Sequence, residues 1–175
     1  RLAGLSERSG ATEQAKQWRL LEIVQLRKIA DHLTLDPAAT TETRKKAWLE
    51  LVSSVSSLSD SFSTIEGFEH VEAGLLALEA LPNTTETRLS VTAIAVSIVS
   101  LFDAARSQEL AVRGSQLVQS LPEGDNKKLW AAEFLSKQAG VSETLGRPAQ
   151  AISQFQTALV LAQSAAPSIR RGTAI

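Results

Sequence analysis

Four prolines punctuate this chain at almost even intervals. Pro37, Pro82, Pro122 and Pro167 close the apolar patterns "HLTLDP", "ALEALP", "LVQSLP" and "LAQSAAP", and they stand 45, 40 and 45 residues apart. Proline has no N–H for the helical ladder and disfavours helix in the residue before it, so a proline after an apolar run is a stop signal. Four stops at near-constant spacing mean one unit written repeatedly. A pentapeptide agrees: "TTETR" occurs as Thr40–Arg44 and again as Thr84–Arg88, starting 44 residues apart.

Each interval between prolines holds two helical patterns. Trp48, Leu51, Val52, Val55 and Leu58 form one stripe; after a break at "SDSFST", Ile65, Phe68, Val71, Leu75 and Leu78 form the next. Val91, Ile94, Ile98 and Leu101 precede Leu110, Gly114, Leu117 and Leu121. Trp130, Phe134 and Val141 are followed, after Gly146, by Ile152, Phe155 and Leu159. Apolar residues at i, i+3, i+4 and i+7 are the mark of amphipathic helices, and no segment alternates with period two. The start signals fit: Ser63 with Glu66 and Asn83 with Glu86 have capping-box spacing, Asp125 is an N-cap candidate, and Pro148 suits a first helical turn. A long helix over Thr12–Leu33 comes first, after "RLAGLSERSG", which reads as the tail of an earlier helix ending near Gly10. The expectation is an all-α chain of about seven helices, arranged as antiparallel helical hairpins of 40–45 residues each. The segment "VTAIAVSIVSLF" is apolar nearly all round and should be the most buried helix.

Composition narrows the function. A chain of 175 residues suffices for one domain over its whole length. With 18 Lys+Arg against 19 Asp+Glu, the net charge of −1 lacks the basic excess of a nucleic-acid binder. There is no Cys, hence no disulfide and no Cys-based zinc site. Val91–Phe102 is too short to cross a bilayer, which takes about 20 residues. The chain begins at Arg1, contains no Met and ends in "SIRRGTAI". It reads as a piece of a longer protein whose open ends leave apolar surface, for further repeats or for self-association. No secretory signal is visible, and a cytoplasmic location is expected, with periplasmic or other extracytoplasmic sites left open.

The stretch "LGRPAQAISQFQTALVLA" resembles the second helix of a tetratricopeptide (TPR) hairpin. Gly146 stands at the inter-helix turn, and Ala151 with Ile152, Phe155, and Ala158 with Leu159 fall at that family's small, aromatic and small-plus-apolar positions. "LAGLSERSGATEQA" is a weaker copy, with Gly10 and Ala15 at the same separation. A HEAT-like hairpin shares the observed unit length, so that family stays open. The TPR resemblance implies a right-handed α-solenoid, usually a platform for another protein or peptide. Function is not inherited through fold alone.

Chemistry is scarce. His32 and His70 sit within helical patterns, without a second His or a Cys at metal-ligand spacing. No phosphate-cradling loop, nucleophile elbow or zinc-protease helix occurs, so the chain is read as non-enzymatic, with no cofactor and no metal. Glu66, Glu69 and Glu72 read as a solvated face. "NTT" at Asn83 matches a glycosylation acceptor but reads as a capping loop. One pattern stands out. Arg44, Arg88 and Lys128 fall at equivalent repeat positions, with Lys45, Lys46 and Lys127 beside them. Each lies near the start of a helix, where the helix dipole disfavours a cation by about 0.3–1 kcal/mol. In TPR-like solenoids the first helices line the groove. Arg44, Lys45, Arg88, Lys127 and Lys128 are therefore the candidate partner-binding residues, facing an acidic peptide or a terminal carboxylate. The simpler explanation is that these side chains cover apolar surface and pair with Glu42 or Glu86. The expected function is a non-catalytic protein- or peptide-binding scaffold. The alternative is a sensory or regulatory module that binds a small ligand within a larger signalling protein or transcription regulator.

Overall fold

A computed structural model describes residues 12–57 and 65–165 of the chain. Every regular element among them is a helix: α1 (Thr12–Leu35), α2 (Thr41–Ser56), α3 (Ile65–Glu79), α4 (Thr85–Val99), α5 (Ala104–Gln119), α6 (Asp125–Thr144) and α7 (Pro148–Ser164). Two helices fall in each proline interval, as the spacing predicts. The earlier-helix tail, the Ser63–Glu66 cap, the "SDSFST" break and the Pro167 stop lie outside the described residues. The helices gather into two compact units that meet in sequence at Thr84 and Thr85.

In the first unit, α2 packs against both α1 and α3. Its stripe of Trp48, Leu51, Val52 and Val55 is buried, as are Ile23 and Ala30 of α1 and Val71, Leu75 and Leu78 of α3. Trp48 is the keystone. Its indole N–H donates to Thr34 Oγ1 at 3.1 Å, and the Thr34 hydroxyl passes the bond on to Ala30 O at 2.8 Å. Arg27, held by Asp31 at 2.8 Å, lies over the ring at 5.3 Å. On the α3 side Trp48 meets Gly74, where a Cβ would lie 3.3 Å from the ring and 3.2 Å from Val52.

In the second unit, α4 packs on α5 and α6, α5 on α6, and α6 on α7. Helix α4 is buried on nearly all sides, through Leu89, Val91, Thr92, Ala93, Ala95, Val96, Ile98 and Val99. Leu101 and Phe102, just beyond it, are exposed. Leu89, Ala93, Val118, Leu121, Trp130 and Phe134 form the main core cluster. Trp130 and Phe134 stack with ring centroids 6.2 Å apart. The Phe134 ring lies close against Gly114 of α5, and a Cβ there would fall 2.0 Å from it.

The α6–α7 pairing departs from the expected stripe. Ala151, Ala158 and Ala162 are the residues that α7 buries, with Ala132 of α6 in the same cluster. Ile152, Phe155 and Leu159 face outward, 58%, 44% and 42% exposed. Alanine on both helices lets the backbones approach closely, and that contact selects the small face over the large one. Gly146 turns the chain between them at φ 70, a conformation that glycine adopts without strain.

Two expected caps are corrected. Helix α4 begins at Thr85, and Asn83 lies two residues before it with φ 54, so no Asn83–Glu86 capping box forms. Helix α6 already begins at Asp125. Its N-cap is Gly124, which offers no side-chain bond, while Asp125 pairs with Lys128 at 3.4 Å. Pro148 does occupy the first turn of α7.

Candidate functional site

The residues singled out as a basic ladder lie where one helix starts beside the end of another. A proline stop creates a specific problem there. The carbonyl four residues before a proline loses its helical donor, and a carbonyl left unpaired in a packed region costs about 1–3 kcal/mol. Leu33 is four residues before Pro37, and Arg44 Nε donates to Leu33 O at 3.1 Å. The same guanidinium donates to Asp36 O at 2.7 Å. Leu78 is four residues before Pro82, and the buried Thr84 hydroxyl donates to Leu78 O at 2.7 Å. Val118 is four residues before Pro122, and it receives the Leu121 N–H at 3.0 Å, a tightened last turn.

The lysines do related work. Lys127 Nζ pairs with Glu123 at 2.7 Å and reaches Gln119 O, the last residue of α5, at 3.3 Å. Lys128 Nζ reaches Ser164 O, the last residue of α7, at 3.4 Å. Lys45 pairs with Glu42 at 2.8 Å and approaches Asn83 O at 3.5 Å. Arg88 is half-buried. The side chains of Lys45 and Lys127 are each only 16% exposed. A cation in a first helical turn is disfavoured by its own helix, but the carbonyl end of a neighbouring helix offsets this. Arg44, Lys45, Lys127 and Lys128 thus serve carbonyls or carboxylates of their own unit.

The two copies of "TTETR" divide this labour differently. In the first, Thr40 caps its own helix, accepting from Thr43 N at 3.1 Å, while Arg44 serves the preceding helix. In the second, Thr84 serves the preceding helix, and Glu86 accepts from Asn126 Nδ2 at 2.7 Å. The identical residues stand at the starts of α2 and α4 without making identical bonds.

Two further features stand beside the cations. The first is a polar relay across α5, α6 and α7. Ser142 Oγ donates to Gln154 Oε1 at 2.9 Å. Gln154 Nε2 donates to Gln138 Oε1 at 3.4 Å, and Gln138 Nε2 donates to Ser115 Oγ at 2.9 Å. Its directional order fixes how the three helices lie against one another. The second is apolar surface left uncovered. Helix α7 exposes Ile152, Phe155, Leu159 and Val160, and its 17 residues carry no charge. Helix α1 exposes Trp18, Leu21, Val24 and Ile29 opposite its buried Ile23 and Ala30. The stripe at Ile152, Phe155 and Leu159 was legible in the sequence. Its outward direction was not.

Among the described residues, no three His, Asp or Glu side chains gather as a metal site. No described helix is long and apolar enough to cross a membrane. Compared with models of known protein families, with characterised proteins and with solved structures, the chain has no match in any of the three.

Proposed function

We propose that this chain is a non-catalytic interaction domain, built from stacked helical hairpins of the TPR-like, right-handed solenoid kind, that binds another polypeptide. The observation that carries the reading is the outward face of α7. Four large apolar side chains stand exposed there on one uncharged helix, with Val160 at 64% and Ile152 at 58%. Single exposed apolar residues are ordinary on a protein surface, whereas a contiguous stripe marks a place where something docks. The proline-bounded hairpins and the alanine contact between α6 and α7 support the repeat architecture. Because Arg44, Lys45, Lys127 and Lys128 already serve internal acceptors, the reading needs no acidic partner. Binding through α7 is apolar and depends weakly on salt.

The test is affinity capture followed by cross-linking, with the wild-type chain and a Phe155→Glu, Leu159→Glu double variant side by side. A partner held by the wild type and lost from the variant, at equal thermal stability, supports the proposal. Recovery of the same proteins by both removes α7 as the binding face.

A further inference from the structure

We propose that the polar relay across α5, α6 and α7 is a facing lock. It holds α7 with its small residues inward and its large apolar stripe outward. Without it, α7 turns by about a quarter-turn on its own axis and buries the stripe against α6.

Two helices of the repeat bear this out by contrast. A step of 44 residues, the separation of the two "TTETR" copies, carries the buried Ser107, Gly114 and Val118 of α5 onto the buried Ala151, Ala158 and Ala162 of α7. Two positions of α5's buried set change character under the same step. Leu110 becomes Gln154, and Ala111 becomes the exposed Phe155.

For α5, burial of apolar surface is enough to choose a facing. Away from its buried side it carries exposed Arg106, Glu109 and Arg113, and Val112 is the one large apolar side chain that the helix exposes. For α7 the same rule points the other way. Alanines are turned inward, while Ile152, Phe155 and Leu159, with far more apolar surface, stay exposed. The stripe lies about a quarter-turn from the alanines, since each residue advances a helix by about 100°. The alanine contact favours the small face by close approach, yet such side chains bury little area.

Gln154 tips the balance. It is half-buried at the inward position where α5 has Leu110, and both ends of its amide are bonded. Oε1 accepts from the Ser142 hydroxyl at 2.9 Å, and Nε2 donates to Gln138 Oε1 at 3.4 Å. Gln138 is tied in turn to α5, donating to Ser115 Oγ at 2.9 Å and to Ala111 O at 3.4 Å. Turning α7 would carry Gln154 away. The Ser142 hydroxyl, which is buried, and Gln138 Oε1 would then face an apolar stripe in place of their amide partner, and a polar group so stripped costs free energy. A satisfied network of this kind specifies one arrangement among several that burial alone would allow.

The double variant Gln138→Leu, Ser142→Ala removes both groups and leaves Gln154 without its two partners. Hydroxyl-radical footprinting, read residue by residue in a mass spectrometer, reports the exposure of Phe155, with the buried Trp130 as reference. In the wild type Phe155 is oxidised and Trp130 is protected. In the double variant, at unchanged helicity, Phe155 oxidation should fall at least about twofold, as expected once the turned facing is the majority. Adding Gln154→Leu gives α7 the inward leucine of α5 and should restore the wild-type oxidation. Equal oxidation of Phe155 in wild type and double variant overturns the lock. So does a triple variant that stays protected. If Trp130 is oxidised along with Phe155, the double variant has opened, and Ser142→Ala alone decides: partial protection of Phe155 supports the lock, and wild-type oxidation overturns it. Footprinting needs no partner, so the outcome is independent of whether the α7 face binds one.

Discussion

Both units seat an aromatic ring of one helix against a glycine of a neighbour, and the two seats have different tolerances. Trp48 meets Gly74 in a tight seat that can still yield: an added Cβ would stand 3.2–3.3 Å from its neighbours, which need give only a few tenths of an ångström. Phe134 meets Gly114 with no room, because an added Cβ would stand 2.0 Å from the ring. Phe134 is fully buried, and its other neighbours include the stacked Trp130. The units differ again at their proline stops. The first brings side-chain donors to its broken helix ends, Arg44 to Leu33 O and Thr84 to Leu78 O beside the Leu81 N–H, while Val118 O of the second receives the Leu121 backbone N–H. The same sequence device, a proline-terminated helix followed by a polar turn, is completed by whichever donor the local packing brings within reach.

Gly114→Ala should break the comparison most sharply. A helical Gly→Ala change gains about 1 kcal/mol in propensity, yet overpacking here should exceed that gain by at least about 2 kcal/mol. In thermal unfolding the second unit's transition should fall by roughly 10 °C. A neutral result would mean that Phe134 has somewhere else to go.

Arg44→Met comes next. It keeps the aliphatic stem but strips Leu33 O and Asp36 O of their donor, for a loss of about 1–2 kcal/mol in urea unfolding. Repeating it in a Pro37→Ala background sharpens the point. An N–H restored at position 37 should absorb part of the cost, giving a coupling of about 0.5–1 kcal/mol in a double-mutant cycle. Additive losses would sever Arg44 from the proline problem.

Thr84→Val is nearly isosteric and should cost about 1 kcal/mol, because Leu78 O retains only the Leu81 N–H at 3.3 Å. Hydrogen exchange at the end of α3 should rise with it.

Gly74→Ala is the smallest expected change. Neighbours that must yield by a few tenths of an ångström cost about what the propensity gain of roughly 1 kcal/mol returns, so urea midpoints should barely move. A loss as large as that of Gly114→Ala would erase the distinction between the two seats.

Much of this architecture was legible from periodicity and punctuation. In the stripes read for α2 and α5, Trp48, Leu51, Val52, Val55, Leu110 and Gly114 are buried and Leu117 is half-buried beside the buried Val118, and the near-continuous apolar run from Val91 marked α4 as the most enclosed helix. Proline spacing located the helix pairs. These signals are local, because a helix needs only its own stripe and its own stops. The cations were legible as a recurrence but not as a role. Position in the repeat says that Arg44 stands near a helix start. Only the neighbouring chain end says that it serves Leu33 O.

The α7 helix marks the boundary between the two kinds of information. Its order of residues settled that it is a helix, that Pro148 opens it, and that it has a small face and a large one. Which face turned inward shows only against α6, where Ala132 packs with Ala158 and Ala162 while Ile152 and Phe155 stay exposed. A stripe of apolar residues states that burial is favourable. The shape of the neighbouring surface determines whether this fold supplies that burial or leaves it to another molecule.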